Sequence, residues 1–258
     1  MPDTIALERD RYVATVRLNR PDVRNALNAT MIADLTAAFA KFSEEPDLRA
    51  IVIEGEGKAF CGGADIHYMR EGLDLGEREN YEDALRLSAM FAAIDTAPMP
   101  VLARVHGAAL GGGSGMVAAC DIVIAADDAL FGFTEVKLGI VPAVISPFVM
   151  RKIGASHARA LFLTGERFDA HRARAIGLVH EVVPYADLHA ALAKKVEEIL
   201  ASGPEAVRVA KQIARVVPWL SAEEAPAWTA RTTAVRRASD EGQEGLRAFL
   251  EKRKPAWR

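Results

Sequence analysis

Cysteine is almost absent from this chain: Cys61 and Cys120 are the only two among 258 residues. Two thiols cannot build a disulfide framework or a cysteine metal cluster, and a reduced, cytoplasmic setting is the expectation. Long apolar runs are missing as well. No stretch approaches the roughly 20 residues of a membrane span. The opening residues 1–21 alternate charged with apolar positions and contain no signal-peptide core. Nor is there an excess of positive charge: 32 Lys and Arg stand against 35 Asp and Glu, which leaves no electrostatic footprint for nucleic acid. The six histidines (67, 106, 157, 171, 180 and 189) include no His-x-x-x-His pair, so no zinc site is expected. Partners such as nucleic acid or membrane are thereby set aside, and metal-free acid–base chemistry is what remains.

What the chain does have is glycine in two places. Phe60-Cys61-Gly62-Gly63-Ala64-Asp65-Ile66 and Gly107-Ala108-Ala109-Leu110-Gly111-Gly112-Gly113-Ser114-Gly115 both lead into helical sequence. A helix start leaves N–H groups unpaired and carries a partial positive charge, so two together can hold an oxyanion. A plainer reading is close packing of a helix on a strand, and it stays open at this point. Gly113 to Ala118 also fits G-x-G-x-x-A formally. However, the preceding strand pattern stops several residues early, and no acid follows at the end of the next strand, as a dinucleotide site needs. Gly112 to Met116 lacks the last glycine of a nucleophile elbow, and Gly55 to Lys58 has neither the spacing nor the hydroxyl of a phosphate loop.

Periodicity orders the rest. Residues 4–8 and 13–18 read as strands, and Asn28 as the cap of a helix to about residue 43. Strands follow at 50–54, 101–105 and 121–125, with helices at 77–95 and from the glycine run to Ala119. Ser146-Pro147 reads as a cap and first helical residue of a helix through Lys152. From about residue 185 the pattern is helical throughout. The expected organisation is an α/β body over 1–190 that holds the site, then a helical region over 191–258 that serves as a lid or for oligomerisation.

Several strings in this order resemble the enoyl-CoA hydratase/isomerase (crotonase) superfamily from end to end. They are Leu18-Asn19-Arg20-Pro21, Arg24 to Asn28, Ala59 to Ile66, His106 to Gly113, Ala119 to Ile122, Phe131 to Gly139, and the tail Ala248 to Arg253. The resemblance implies a spiral of repeated ββα units with C-terminal helices that assemble trimers or dimers of trimers. It implies that the backbone amides of Ala64 and Gly112 hold a thioester oxygen, with Glu135 as the acid–base residue. It places Val23, Arg24, Asp65, Ile66 and His67 along the CoA path, Gly111 and Gly115 at the acyl end, and Phe249 and Lys252 against the CoA of a neighbouring subunit. His67 departs from a commoner lysine. No metal and no separate cofactor is implied, since CoA enters as part of the acyl-CoA substrate.

One departure bears on the reaction. Many hydratases of the family carry two glutamates; Glu135 matches the second, and Gly115 stands where the first would be. The expected activity is addition of water to the α,β double bond of an enoyl-CoA. Gly139 to Phe148 resembles the stretch of bacterial methylglutaconyl-CoA-type hydratases, which implies a branched acyl group such as 3-methylglutaconyl. The alternatives are a double-bond isomerase using one glutamate, or a non-catalytic acyl-CoA-binding member.

Overall fold

Ala14, Val16 and Leu18 are buried while Val13, Thr15 and Arg17 are only partly covered, the alternation of a strand with one face on the core. The computed structural model describes residues 4–257. In chain order its elements are β1 Ile5–Asp10, β2 Val13–Leu18, α1 Ala29–Ser43, β3 Ala50–Gly55, α2 Ile66–Glu71, α3 Glu77–Thr96, β4 Val101–Val105, β5 Ala108–Leu110, α4 Gly112–Ala119, β6 Ile122–Ala126, β7 Leu130–Gly132, α5 Ser146–Thr164, β8 Arg167–Asp169, α6 Ala170–Ala175, β9 Glu181–Val183, α7 Leu188–Leu200, α8 Pro204–Val216, α9 Glu224–Ala238 and α10 Asp240–Leu250. Six strands form one sheet in the order β1-β2-β3-β4-β6-β9, parallel from β2 onward, and β5, β7 and β8 form a second.

The two sheets are filled in turn. β4 enters the large sheet, β5 the small one, and α4 follows; β6 and β7 repeat the step before α5. β3 begins an earlier turn of the same kind, in which Cys61 makes a single parallel bridge to Ala109 of β5 before α2. This is the ββα spiral that the resemblance implies. β3 is buried at every position, as a strand with both faces covered must be. Asn28 caps α1, its side chain accepting the Met31 N–H at 2.9 Å.

The start of α5 differs from expectation. Ser146 is already helical, and its hydroxyl donates to the Ala143 carbonyl at 2.8 Å rather than capping. The helix runs on to Thr164 across a kink at Gly154, where φ is +75°. Both cysteines are buried, and burial pushes their thiols up to about 11 for Cys61 and about 12 for Cys120, which leaves them inert.

The expected boundary at residue 190 falls inside α7, whose Leu188 and Leu192 pack on Val52, Leu102 and Ile124 of the large sheet. Beyond it α8 is tied to the body by Lys211, which sits 2.6 Å from the Asp121 carboxylate. In α8, α9 and α10 only Ala248 is buried, while Trp219, Phe249 and Leu250 are largely exposed. No helix among the described residues is long and apolar enough to cross a membrane.

Candidate active site

The spiral brings three helix starts into one row. Cys61 and Ala109 are bridged, with Cys61 N–H donating to the Ala108 carbonyl at 2.9 Å and Leu110 N–H to the Cys61 carbonyl at 3.0 Å. Ala64 lies three residues past the first partner and Gly112 three past the second. Ala109 in turn pairs with Phe131, and four residues on stands Glu135, at the head of a 3-10 turn over Glu135–Leu138. Neighbouring strands lie about 4.8 Å apart, so the equal offsets of Ala64 and Gly112 from a bridged pair set those two positions side by side, and Glu135 follows one residue further along, past the third strand.

Local geometry serves that placement. Gly111 has φ +50° and ψ −120°, a conformation that L side chains rarely adopt. Its N–H donates to the Gly132 carbonyl at 2.8 Å and its carbonyl accepts from Gly115 at 3.0 Å, which turns the chain from β5 into α4. The amides of Ala64 and Gly112 find no acceptor among the described residues. Asn25, fully buried, ties the preceding loop to this region through the Glu56 and Ala59 carbonyls at 2.9 and 2.8 Å.

Ala64, Gly112 and Glu135 line one cavity of about 170 Å³. Its walls are apolar, formed by Leu27, Ile32, Leu87 of α3, and the run Val141, Pro142, Val144 and Ile145 that follows Glu135 in the chain. Glu135 is half-buried and its Oε2 has no hydrogen-bond partner among the described residues. Burial raises its pKa, and only its own backbone amide works the other way. A buried carboxylate oxygen without a donor costs free energy until water or a substrate supplies one.

The remaining sequence-predicted positions fall into three sets. Val23, Arg24, Ile66 and His67 are exposed on neighbouring backbone, where Gly62 N–H donates to the Arg24 carbonyl at 2.8 Å. Asp65 lies beside them but turns inward, 3% exposed. Its carboxylate caps α2 through the amides of His67 and Tyr68, and pairs with Arg20 at 2.7 Å. Burial opposes the charge, yet Arg20 and those amides outweigh it and hold the carboxyl below its usual range. Gly115 is not part of the cavity wall. A Cβ there would stand 2.3 Å from Ile145 Cγ2 and 3.3 Å from Phe91 Cζ, so Ile145 fills the space a side chain would need. Phe249, 81% exposed, and Lys252 lie off the cavity at the end of α10.

Sequence reasoning missed Tyr68, which lines the cavity and donates its hydroxyl to Asp83. Burial and that carboxylate push its pKa up, so it stays protonated. The available signal was its place four residues after Ala64, one helical turn on. Among the described residues no group of three His, Cys, Asp or Glu is placed to hold a metal.

Two free amides beside an apolar chamber, with one proton-hungry carboxylate, suit stabilisation of a thioester enolate with proton transfer at carbon. Similarity to known proteins shows the family. The enoyl-CoA hydratase/isomerase family model matches residues 8–258. A crotonyl-CoA hydratase of Syntrophomonas wolfei is 34% identical over 98% of this chain and 96% of its own. A mevalonyl-coenzyme A hydratase of Aspergillus fumigatus is 34% identical, covering 96% and 92%. The crystal structure of an enoyl-CoA hydratase from Shewanella pealeana superposes with a TM-score of 0.95 at 34% identity, over 99% and 96% of the two chains. With a match of this length and a spiral of the same shape, the chain is an enzyme of the enoyl-CoA hydratase/isomerase family, with the crotonase fold.

Proposed function

We propose that the protein hydrates the α,β double bond of an enoyl-CoA, with Glu135 as its single acid–base residue. The observation that carries this reading is the unpartnered Glu135 Oε2 in the same cavity as the free amides of Ala64 and Gly112. The Glu135 carboxylate takes a proton from water as the water oxygen bonds to Cβ. The electron pair of the double bond moves onto the thioester, whose oxygen becomes an enolate held by the two amides. The carboxylic acid so formed then gives its proton to Cα, which restores the carboxylate and completes the addition of one water. CoA is part of the substrate, and no further cofactor enters this scheme. The apolar walls at Val141, Pro142 and Val144 suit the methyl branch of a short acyl group such as 3-methylglutaconyl.

A second reading has an observation of its own. Among the described residues Glu135 is the only carboxylate lining the cavity, and one carboxylate suffices to carry a proton between carbons in a double-bond isomerisation. Incubation with crotonyl-CoA and 3-methylglutaconyl-CoA in ¹⁸O-labelled water separates the two. A thioester heavier by one labelled water is the expected product; an unchanged mass with a moved double bond assigns isomerisation instead.

Replacing Gly112 by proline tests the oxyanion site. Its amide bonds nothing among the described residues, and proline is accepted in the first turn of a helix. The nearest obstacle to a Cβ is the end of the Leu27 side chain, at 2.8 Å. The variant is expected to keep its helical circular dichroism and to lose roughly 10²–10³-fold in kcat; unchanged kinetics would remove Gly112 from the site.

For assembly, the exposed Trp219, Phe249 and Leu250 support a homotrimer or a pair of trimers. In such an assembly Phe249 and Lys252 would meet the CoA of a neighbouring copy.

A further inference from the structure

Past Ala64, Tyr68 and Ile140 the cavity continues into a wider groove of about 530 Å³, between α2 and the first turns of α3. Among the described residues lining that groove Arg86 is the one cation. Its Nη2 donates to Asp83 Oδ1 at 2.9 Å, while the other Asp83 oxygen accepts the Tyr68 hydroxyl. The three side chains thus form a connected row that runs from the wall of the catalytic cavity to the groove. Asp83, held from both sides, fixes where the guanidinium stands. Of the five N–H donors of an arginine, one is used here, and the side chain is 62% exposed.

Glu71 also lines the groove, so with Asp83 the local charge is not positive overall and the groove is no general anion trap. What Arg86 offers is directional: a planar fork whose free N–H groups match the two oxygens of a carboxylate. We infer that Arg86, oriented by Asp83 and Tyr68, determines specificity for an acyl group that ends in a second carboxylate, making the preferred substrate a dicarboxylic enoyl-CoA. This rests on the hydratase reading for the reaction, though not for the binding. An acyl group with an apolar end leaves the guanidinium in water at no cost, so it is tolerated without being favoured.

The test compares two thioesters that differ only in the terminal carboxylate, 3-methylglutaconyl-CoA and 3-methylcrotonyl-CoA, in the wild type, Arg86→Met and Arg86→Lys. The wild type is expected to favour the dicarboxylic substrate in kcat/KM. Arg86→Met is expected to lower that preference by about 10- to 100-fold, the scale of a hydrogen bond to a charged group, with the loss in KM rather than kcat. Lysine keeps the charge without the fork and is expected to restore part of it. Calorimetric binding of the saturated counterparts, 3-methylglutaryl-CoA and isovaleryl-CoA, reads the same ratio without turnover. A binding ratio that shifts while no water is added leaves Arg86 in its role and defeats the hydratase reading alone. No dicarboxylic preference in the wild type, or the same ratio in Arg86→Met, overturns the inference.

Discussion

Glu135→Gln is expected to abolish turnover, by about 10²–10⁴-fold or more, while the protein keeps its fold and assembly. The amide has the size of the carboxylate but cannot take a proton from water. It remains beside Gly111, where a Cβ would lie 3.4 Å from the present Oε1, so the packing is preserved. Near wild-type kinetics would remove Glu135 from the reaction. The pH profile offers an independent check. A base works as the carboxylate, so activity falls as pH drops through its pKa. Burial has raised that pKa, which places the acid limb of kcat/KM above the usual carboxylate range.

Stability should move the opposite way from activity. A carboxyl whose folded pKa is raised holds its proton more tightly in the native state than in the unfolded one. The native state is therefore penalised as pH rises through the interval between the unfolded and folded values, and the penalty is complete above the folded pKa. Glutamine removes that penalty. Glu135→Gln is accordingly expected to melt at a higher Tm than wild type at neutral pH, with the difference vanishing at a pH below the unfolded value. A lower Tm at neutral pH would show that the carboxylate holds a structural bond instead.

Gly115→Glu should fail as a means of adding a second acid–base group. Helix propensity alone favours the change, since glycine inside a helix costs roughly 0.5–1 kcal/mol relative to alanine. Against this, the new Cβ would sit 2.3 Å from Ile145 Cγ2 and 2.9 Å from Ile145 Cβ, and Ile145 is itself buried. Overpacking of this kind costs typically 1–3 kcal/mol. A carboxylate pressed into an apolar wall adds a desolvation cost of its own. The clash wins, and the variant is expected to lose at least about 1–3 kcal/mol in urea unfolding with no gain on crotonyl-CoA. Ile145→Ala in the same chain opens the space, so the double variant is expected to recover stability relative to Gly115→Glu alone. Should the single variant be as stable as wild type, the Gly115–Ile145 contact does not constrain the site as described.

That contact also marks the limit of what the sequence discloses. The glycine segments, the Asn28 cap, β3 and the run of C-terminal helices follow from local pattern, and local pattern is enough for them. Glu135 and the two amides were legible through resemblance, because their strings are short and ordered. Ile145 filling the place of a side chain at 115 was not, since thirty residues separate the two and only packing joins them. The short strands β5, β7, β8 and β9 have three residues each, too few for an alternation to show. Asp83 and Arg86 stand at helical spacing on α3, but nothing in the sequence joins Tyr68 to them; only the packing of α2 against α3 does. Ser146-Pro147 misled in a small way, because a good capping residue was already inside the helix.

The bridge between Cys61 and Ala109 has a wider consequence. It sets the positions of Ala64 and Gly112 through main-chain pairing alone, and both contribute only an amide. Alanine scanning would therefore remove neither of these two of the three proposed catalytic groups. Replacing either amide by an ester through chemical synthesis would remove it. Specificity and oxyanion binding are thereby separable: exchanging a wall residue or Glu135 can change what is made, while both amides stay where the main-chain pairing puts them.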